Sequence, residues 1–328
     1  MNGTLEQTGT LTGILTIPVA AAASDTLSDV MYGISPTATV YNPNEELTEC
    51  IGISGMNDIM LADAVSIGEN AFKDCTALES VNAPNVEEIK ASAFEGCSNL
   101  EEVDVVKLYT IGNNAFKGCT KLEDIDLSMV TSIGDNAFDM DYHNCSFTEI
   151  DLSECLSIGS EAFNRCEDLT TVVCPKVTTI GNEAFKDSGV TALNLPVIVT
   201  LGEGARTMKK LTSINIPLVT EIVKSAFNNN ERLPVLRLPA VTTIGKEAFN
   251  RCDALEDIYL GHDAVVDLTK DEFDTDYNLF GWAMNARSVI IHVPAALLTD
   301  YQNNAKWTSA IAKAAEGDIT VTFAGDYE

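Results

Sequence analysis

The chain has 328 residues, 45% of them hydrophobic, enough for one large domain or two ordinary ones with a sizeable core. Asp and Glu total 49 against 20 Lys and Arg, a formal net charge of -29. That balance argues against nucleic acid or anionic lipid as the main partner, since a phosphate surface needs Lys and Arg to neutralise it. The longest apolar runs fall short of the roughly 18 residues that cross a bilayer, so no membrane insertion is expected.

In chain order, residues 1–55 come first and carry no repeat. Thr8 to Pro18 is rich in Thr and Gly, with a β-like alternation. The stretch Leu11 to Ala23 has the alanines of a cleavage site but no basic residue before it, and Gly13 and Pro18 break it. It reads as a poor signal peptide. The segment is expected to be an N-terminal cap or attachment segment.

Residues 56–260 repeat openly. The phrase Ile-Gly-x-x-Ala-Phe-x-x-Cys-x-x-Leu begins at Ile67 and Ile111, at Ile89 with Lys90 in the glycine slot, and in weaker form at Ile133, Ile158, Ile180, Leu201, Ile222 and Ile244. Its phenylalanines are Phe72, Phe94, Phe116, Phe138, Phe163, Phe185, Phe227 and Phe249, with Arg206 counted into the missing slot. Successive spacings are then 22, 22, 22, 25, 22, 21, 21 and 22 residues. So short a period holds one strand and a return path, the unit of a leucine-rich repeat. The strand is Leu-x-x-Val/Ile-x-Leu, as in Leu122 to Leu127, whose last three residues alternate in, out, in. Proline often closes it, at Pro84, Pro175, Pro196, Pro217 and Pro239, where a missing N–H costs the sheet little. The glycine before Ala-Phe suits a positive φ or a close backbone approach. With Met56 to Leu61 as one further strand, about ten parallel strands should stack, in a strand-rich solenoid of α/β type with caps at both ends.

Residues 261–328 read as a C-terminal cap. Gly261 to Ala286 is an acidic, aromatic insert, with Phe273, Tyr277, Phe280 and Trp282 placed to seal the last repeat. Val289 to Ala295 reads as a strand, followed by a short helix with Leu297, Leu298 and Tyr301 on one face, and Asp318 to Phe323 as an edge strand.

The residues that carry chemistry are sparse. Cys75, Cys97, Cys119, Cys166 and Cys252 sit three residues after the repeat phenylalanine, a slot that also takes Ser188 and Asn230. They read as a buried ladder of small hydrophobes. Stacked neighbours lie within disulfide reach, but the odd total of nine argues against a full framework. Cys-x-x-Cys spacing is absent. His143 and Cys145 are close in sequence but lack a third orienting or ligating group, so the Asp141 to Ser146 stretch reads as a recognition loop. Neither an enzyme nor a cofactor is indicated.

The outward strand positions are strongly acidic in the early repeats: Glu101, Glu102 and Asp104, then Glu123, Asp124 and Asp126, then Glu149 and Asp151. The middle repeats are neutral and rich in Thr and Asn. Carboxylates repeating every ~4.8 Å along a column repel one another, and a cationic ligand or Ca²⁺ would relieve that repulsion. No EF-hand loop accompanies them. These eight residues are the candidate binding set.

The phrase Ile-Gly-x-x-Ala-Phe-x-x-Cys-x-x-Leu-x-x-Val/Ile-x-Leu-Pro resembles the BspA-like leucine-rich repeat family, and its tandem copies cover about two-thirds of the chain. The Val-Pro…Tyr…Trp ending at Val293, Pro294, Tyr301 and Trp307 is similar to endings common in that family. The resemblance implies a non-enzymatic adhesion or recognition protein of the bacterial surface, taking a protein or other cell-surface ligand, and it brings no catalytic residues. The N-terminal Thr/Gly/Leu segment resembles the opening of some phage or prophage structural proteins. That implies the alternative, a virion-associated receptor-binding protein with an N-terminal assembly segment. The oligomeric state is left open between the two.

Overall fold

The computed structural model describes residues 15–16, 58–61, 64–140, 145–271, 277–281 and 287–327. Along residues 58–260 each repeat contributes one strand to a parallel ladder that is broken after Ile125, Val173 and Asn215. Its ten strands are Asp58–Met60, Ser80–Asn82, Glu102–Asp104, Asp124–Ile125, Glu149–Asp151, Thr171–Val173, Ala192–Asn194, Ser213–Asn215, Val235–Leu238 and Asp257–Leu260. Equivalent residues lie opposite one another, as Val81 with Val103 and Leu193 with Ile214. At the N-terminal end Leu15–Thr16 pairs in parallel with Ile59 and Met60.

A second ladder of two-residue strands runs alongside, from Ser66–Ile67 to Thr179–Ile180 and from Glu221–Ile222 to Asp267–Leu268. Single bridges through Thr200 join the two parts. Between the ladders the path is made of turns. Among the described residues, α-helix occurs only after Pro294, in the C-terminal cap.

The return path needs two left-handed residues in most turns. The residue before Ala-Phe has positive φ at Asn70, Ser92, Asn114, Asn136, Glu161, Glu183, Ser225 and Glu247. The residue before the cysteine slot has it at Asp74, Gly96, Gly118, Arg165, Asp187, Thr207, Asn229 and Arg251. Asn, Asp and Gly at many of these sites fit the local energetics. Where glycine opens the phrase it meets a different need, close approach, although Lys90 and Val223 hold that slot in two turns. A Cβ on Gly112 would lie 2.6 Å from the Ala91 amide nitrogen of the preceding turn.

The core is a set of columns. Adjacent phenylalanine rings from Phe72 to Phe185 stack with centroids 5.2–5.5 Å apart and planes within 9° of parallel. The ladder spacing of ~4.8 Å imposes that geometry. The Ala, Leu, Ile and Val of the phrase form parallel columns, nearly all buried.

One register assignment needs correcting. Arg206 does not stand in the phenylalanine column. It lies half-exposed, paired with Glu183 and Glu203 at 3.2 and 2.6 Å. Ala205 takes the slot, and Met208, fully buried, takes the cysteine slot. The left-handed Thr207 sits where Asp74 and Asp187 sit in other turns, which fixes the frame. The turn is shortened at Gly202, whose φ is +58°. The ring stack therefore breaks between Phe185 and Phe227, and beyond the gap Phe227 and Phe249 are looser, at 6.3 Å and 29°.

The C-terminal cap closes the open end. Phe280 is buried against Phe249 at 5.9 Å, while Phe273 and Trp282 lie outside the described residues. Strand Arg287–Pro294 extends the main ladder, and Ile319–Tyr327 pairs with it as the last strand. Helices Leu298–Asn303 and Ala305–Glu316 pack on this end. The Asn304 side chain caps the second by accepting from the Lys306 and Trp307 amides. Tyr301 and Trp307, both buried, clamp one residue of the insert on either side of its Cα. The Val266 amide donates to the Tyr301 hydroxyl at 2.9 Å, and the Trp307 indole donates to the Val266 carbonyl at 2.8 Å.

Candidate binding face

The alternation of each strand sends Val103, Ile150, Leu193 and their equivalents into the core and their neighbours outward. All eight carboxylates singled out from the sequence are exposed, Glu102, Asp104, Asp124, Glu149 and Asp151 at outward positions of the strands and Glu101, Glu123 and Asp126 beside them. Register sets them in columns. Glu102 lies opposite Asp124, Asp104 and Asp126 follow them at equivalent repeat positions, and Glu149 and Asp151 pair with Thr171 and Val173 in the next sheet.

The columns differ in how their charges are held. Asp104 accepts from Asn82 Nδ2 at 2.7 Å. Asp126 and Asp151 accept from the backbone N–H two residues on, at Ser128 and Ser153, each at 2.9 Å, and Ser153 Oγ also donates to Asp151. Glu101 pairs with Lys121 at 3.3 Å, both well exposed. Glu102, Asp124 and Glu149 form no salt bridge among the described residues. The face thus offers fixed carboxylates along one edge and unneutralised ones beside them.

Further along, the same outward column turns neutral and then changes sign. Val173 is exposed, and Asn215 Nδ2 donates to Asn194 Oδ1 at 2.7 Å. Next come Arg237, Tyr259 and His292, opposite one another in register. The Arg237 guanidinium lies 4.0 Å from the Tyr259 ring centre, and the His292 ring stacks on Tyr259 at 4.1 Å and 7°. His292 lies beyond the repeats, on the strand that follows the insert. The alternation in Val-Ile-Ile-His-Val, carried past the insert, was the available signal.

Elsewhere the candidate chemistry is structural. Cys97, Cys119 and Cys252 donate S–H to the carbonyls of Phe72, Phe94 and Phe227, at 2.9, 3.1 and 3.0 Å. Asn230 makes the equivalent bond to Ala205 at 2.7 Å. Burial pushes the thiols of Cys97, Cys174 and Cys252 up to about 12 and that of Cys155 to about 11. Burial holds Cys119 and Cys166 well above the usual thiol range too. Such thiols are poor nucleophiles and poor ligands. Cys75 is buried like the others of the ladder and is disulfide-bonded, a pairing the sequence left open. His143 lies outside the described residues. Ser146, beside it in sequence, is half-buried and donates to the Thr120 carbonyl at 3.2 Å. Among the described residues no group of three His, Cys, Asp or Glu could hold a metal ion, and no helix is long and apolar enough to cross a membrane.

A leucine-rich repeat protein from Bacteroides ovatus is similar at 17% identity and a TM-score of 0.39, covering 82% of this chain and 84% of its own. A leucine-rich cell surface protein from Faecalibacterium prausnitzii is 19% identical with a TM-score of 0.36, covering 67% of this chain and 89% of its own. The leucine-rich repeat protein of T. pallidum is 19% identical with a TM-score of 0.34, over 61% of this chain and 78% of its own. No curated protein matches. The family description "BspA type Leucine rich repeat region (6 copies)" matches residues 53–141, 139–256 and 200–280, which is more than half of the chain. The chain belongs to the BspA-type leucine-rich repeat family.

Proposed function

We propose that this protein is a non-enzymatic recognition module that works outside the cell and captures a cationic protein or cell-surface ligand on the acidic part of its sheet face. The observation that carries the reading is the column arrangement. Glu102, Asp104, Asp124, Asp126, Glu149 and Asp151 are exposed at equivalent positions of three successive repeats, with Glu102 opposite Asp124 in register. Their mutual repulsion is relieved by a ligand that brings positive charge. The Faecalibacterium relative named as a cell surface protein supports display at a surface.

An immobilised lysine-rich peptide serves as the probe. Replacing Glu102, Asp104, Asp124 and Asp126 together by alanine should weaken capture about tenfold or more, and added salt should weaken wild-type capture as Coulombic binding requires. Unchanged capture by the fourfold variant would remove this face from consideration. Surface display is tested separately, by whether protease added to intact source cells degrades the protein.

A further inference from the structure

We propose that His292 is a pH-operated latch on the C-terminal cap, holding the end of strand Ile319–Tyr327 to the last repeat strand while the ring is doubly protonated and releasing it when it is not. The argument starts from proton counting. Nε2 lies 2.8 Å from Asp257 Oδ1 and Nδ1 lies 2.7 Å from Asp326 Oδ1. An ionised carboxylate only accepts. A neutral imidazole has one N–H and one lone pair, so it can satisfy one of these neighbours and must repel the other. Only the imidazolium serves both.

The location makes the bridge mechanical. Asp257 belongs to the last repeat strand and Asp326 to the terminal strand, which pairs only with Arg287–Pro294. The bridge crosses the point where the register shifts between His292 and Pro294, so ladder bonding is irregular there. His292 is itself buried, with Tyr259 stacked on one face. Tyr327, next to Asp326, also packs on Tyr259, at 5.3 Å. Release of the strand end would uncover Tyr259 at the cationic end of the sheet face.

The charged neighbours oppose one another. Desolvation by burial lowers the proton affinity of the ring, and the hydrogen bonds to Asp257 and Asp326 raise it, with a net rise above the ordinary histidine value. Arg237, across the Tyr259 ring, acts against a charge on His292. Among the described residues, Tyr259 stacks on the ring and Tyr327 packs on Tyr259. A raised native pKa means that the latch contributes fully below the unfolded value of about 6.5, and that this contribution is lost as pH rises through the native value. Asp326 is 59% exposed and Asp257 28%, so the neutral ring keeps its N–H for the more sheltered Asp257 and lets Asp326 go.

The test uses the full chain and hydrogen exchange of a peptide spanning the terminal strand, at about pH 5.5 and about pH 8.5, corrected for intrinsic rates. Wild type should lose protection there roughly threefold or more at the higher pH, relative to the mid-solenoid strands. His292→Gln should abolish that pH dependence. Asp326→Asn, at a well-exposed position, should reduce it and keeps the test valid if the first variant does not fold. The proposal is overturned if either folded variant retains the wild-type pH dependence. It is equally overturned if the His292 ring resonance titrates at or below the ordinary histidine value.

Discussion

The cysteine slot shows how a single residue is chosen in this solenoid. The slot must fill a small apolar volume and place a donor against the carbonyl of the phenylalanine position one turn back. Cysteine does both weakly, and Asn230 does both with a stronger bond. Ser188 sits in the slot, yet its buried hydroxyl finds no partner among the described residues. A buried hydroxyl without a partner costs about 1–3 kcal/mol. Ser188→Cys should therefore raise stability by about 1 kcal/mol in denaturant unfolding. The opening glycine is governed by distance. Gly112→Ala should cost about 1–3 kcal/mol, because the added methyl meets backbone atoms, which cannot move aside as a side chain can. The seven free cysteines among the described residues should resist a thiol reagent at about pH 8 in the native state and react fully in denaturant, since burial both shields them and suppresses the thiolate. Rapid labelling of folded protein would show the ladder to be open.

At the scale of the element, the strands follow directly from alternation: about ten were expected, and ten stand among the described residues of 58–260. The phenylalanine ladder was equally legible where the spacing held. It was misread at Arg206 because counting assumes a constant frame. The turns around Gly189 and Gly202 are each shorter, and only burial of Ala205 and Met208 with the left-handed Thr207 reveals the shift. The acidic set was readable because alternation alone decides which residues face outward. The Asp257–His292–Asp326 bridge was not, since Asp326 reaches His292 through a register irregularity that no repeat pattern encodes. The intact stack makes a graded prediction. Phe116→Ala, with parallel rings on both sides, should cost about 3–5 kcal/mol. Phe227→Ala, beside the break, should cost less. Equal losses at the two sites would mean that ring stacking adds little to burial.

The whole molecule separates stability from recognition. Repeats contact mainly their neighbours, so the interior is a continuous core closed by Phe280, Tyr301 and Trp307 at one end. The carboxylates stand on the outside of that scaffold, where their exchange for alanine should leave the fold intact. A net charge of -29 opposes self-association and, on the proposed reading, would favour a positive partner. The central claim is that the acidic part of the sheet face is where a ligand sits. The most direct measurement is a hydrogen-exchange footprint of the chain with and without a saturating lysine-rich peptide. The account predicts added protection in the peptides containing residues 101–104, 123–126 and 149–151, and none in those containing residues 192–194 and 213–215. Protection confined to the neutral strands, or to the cap, would contradict it.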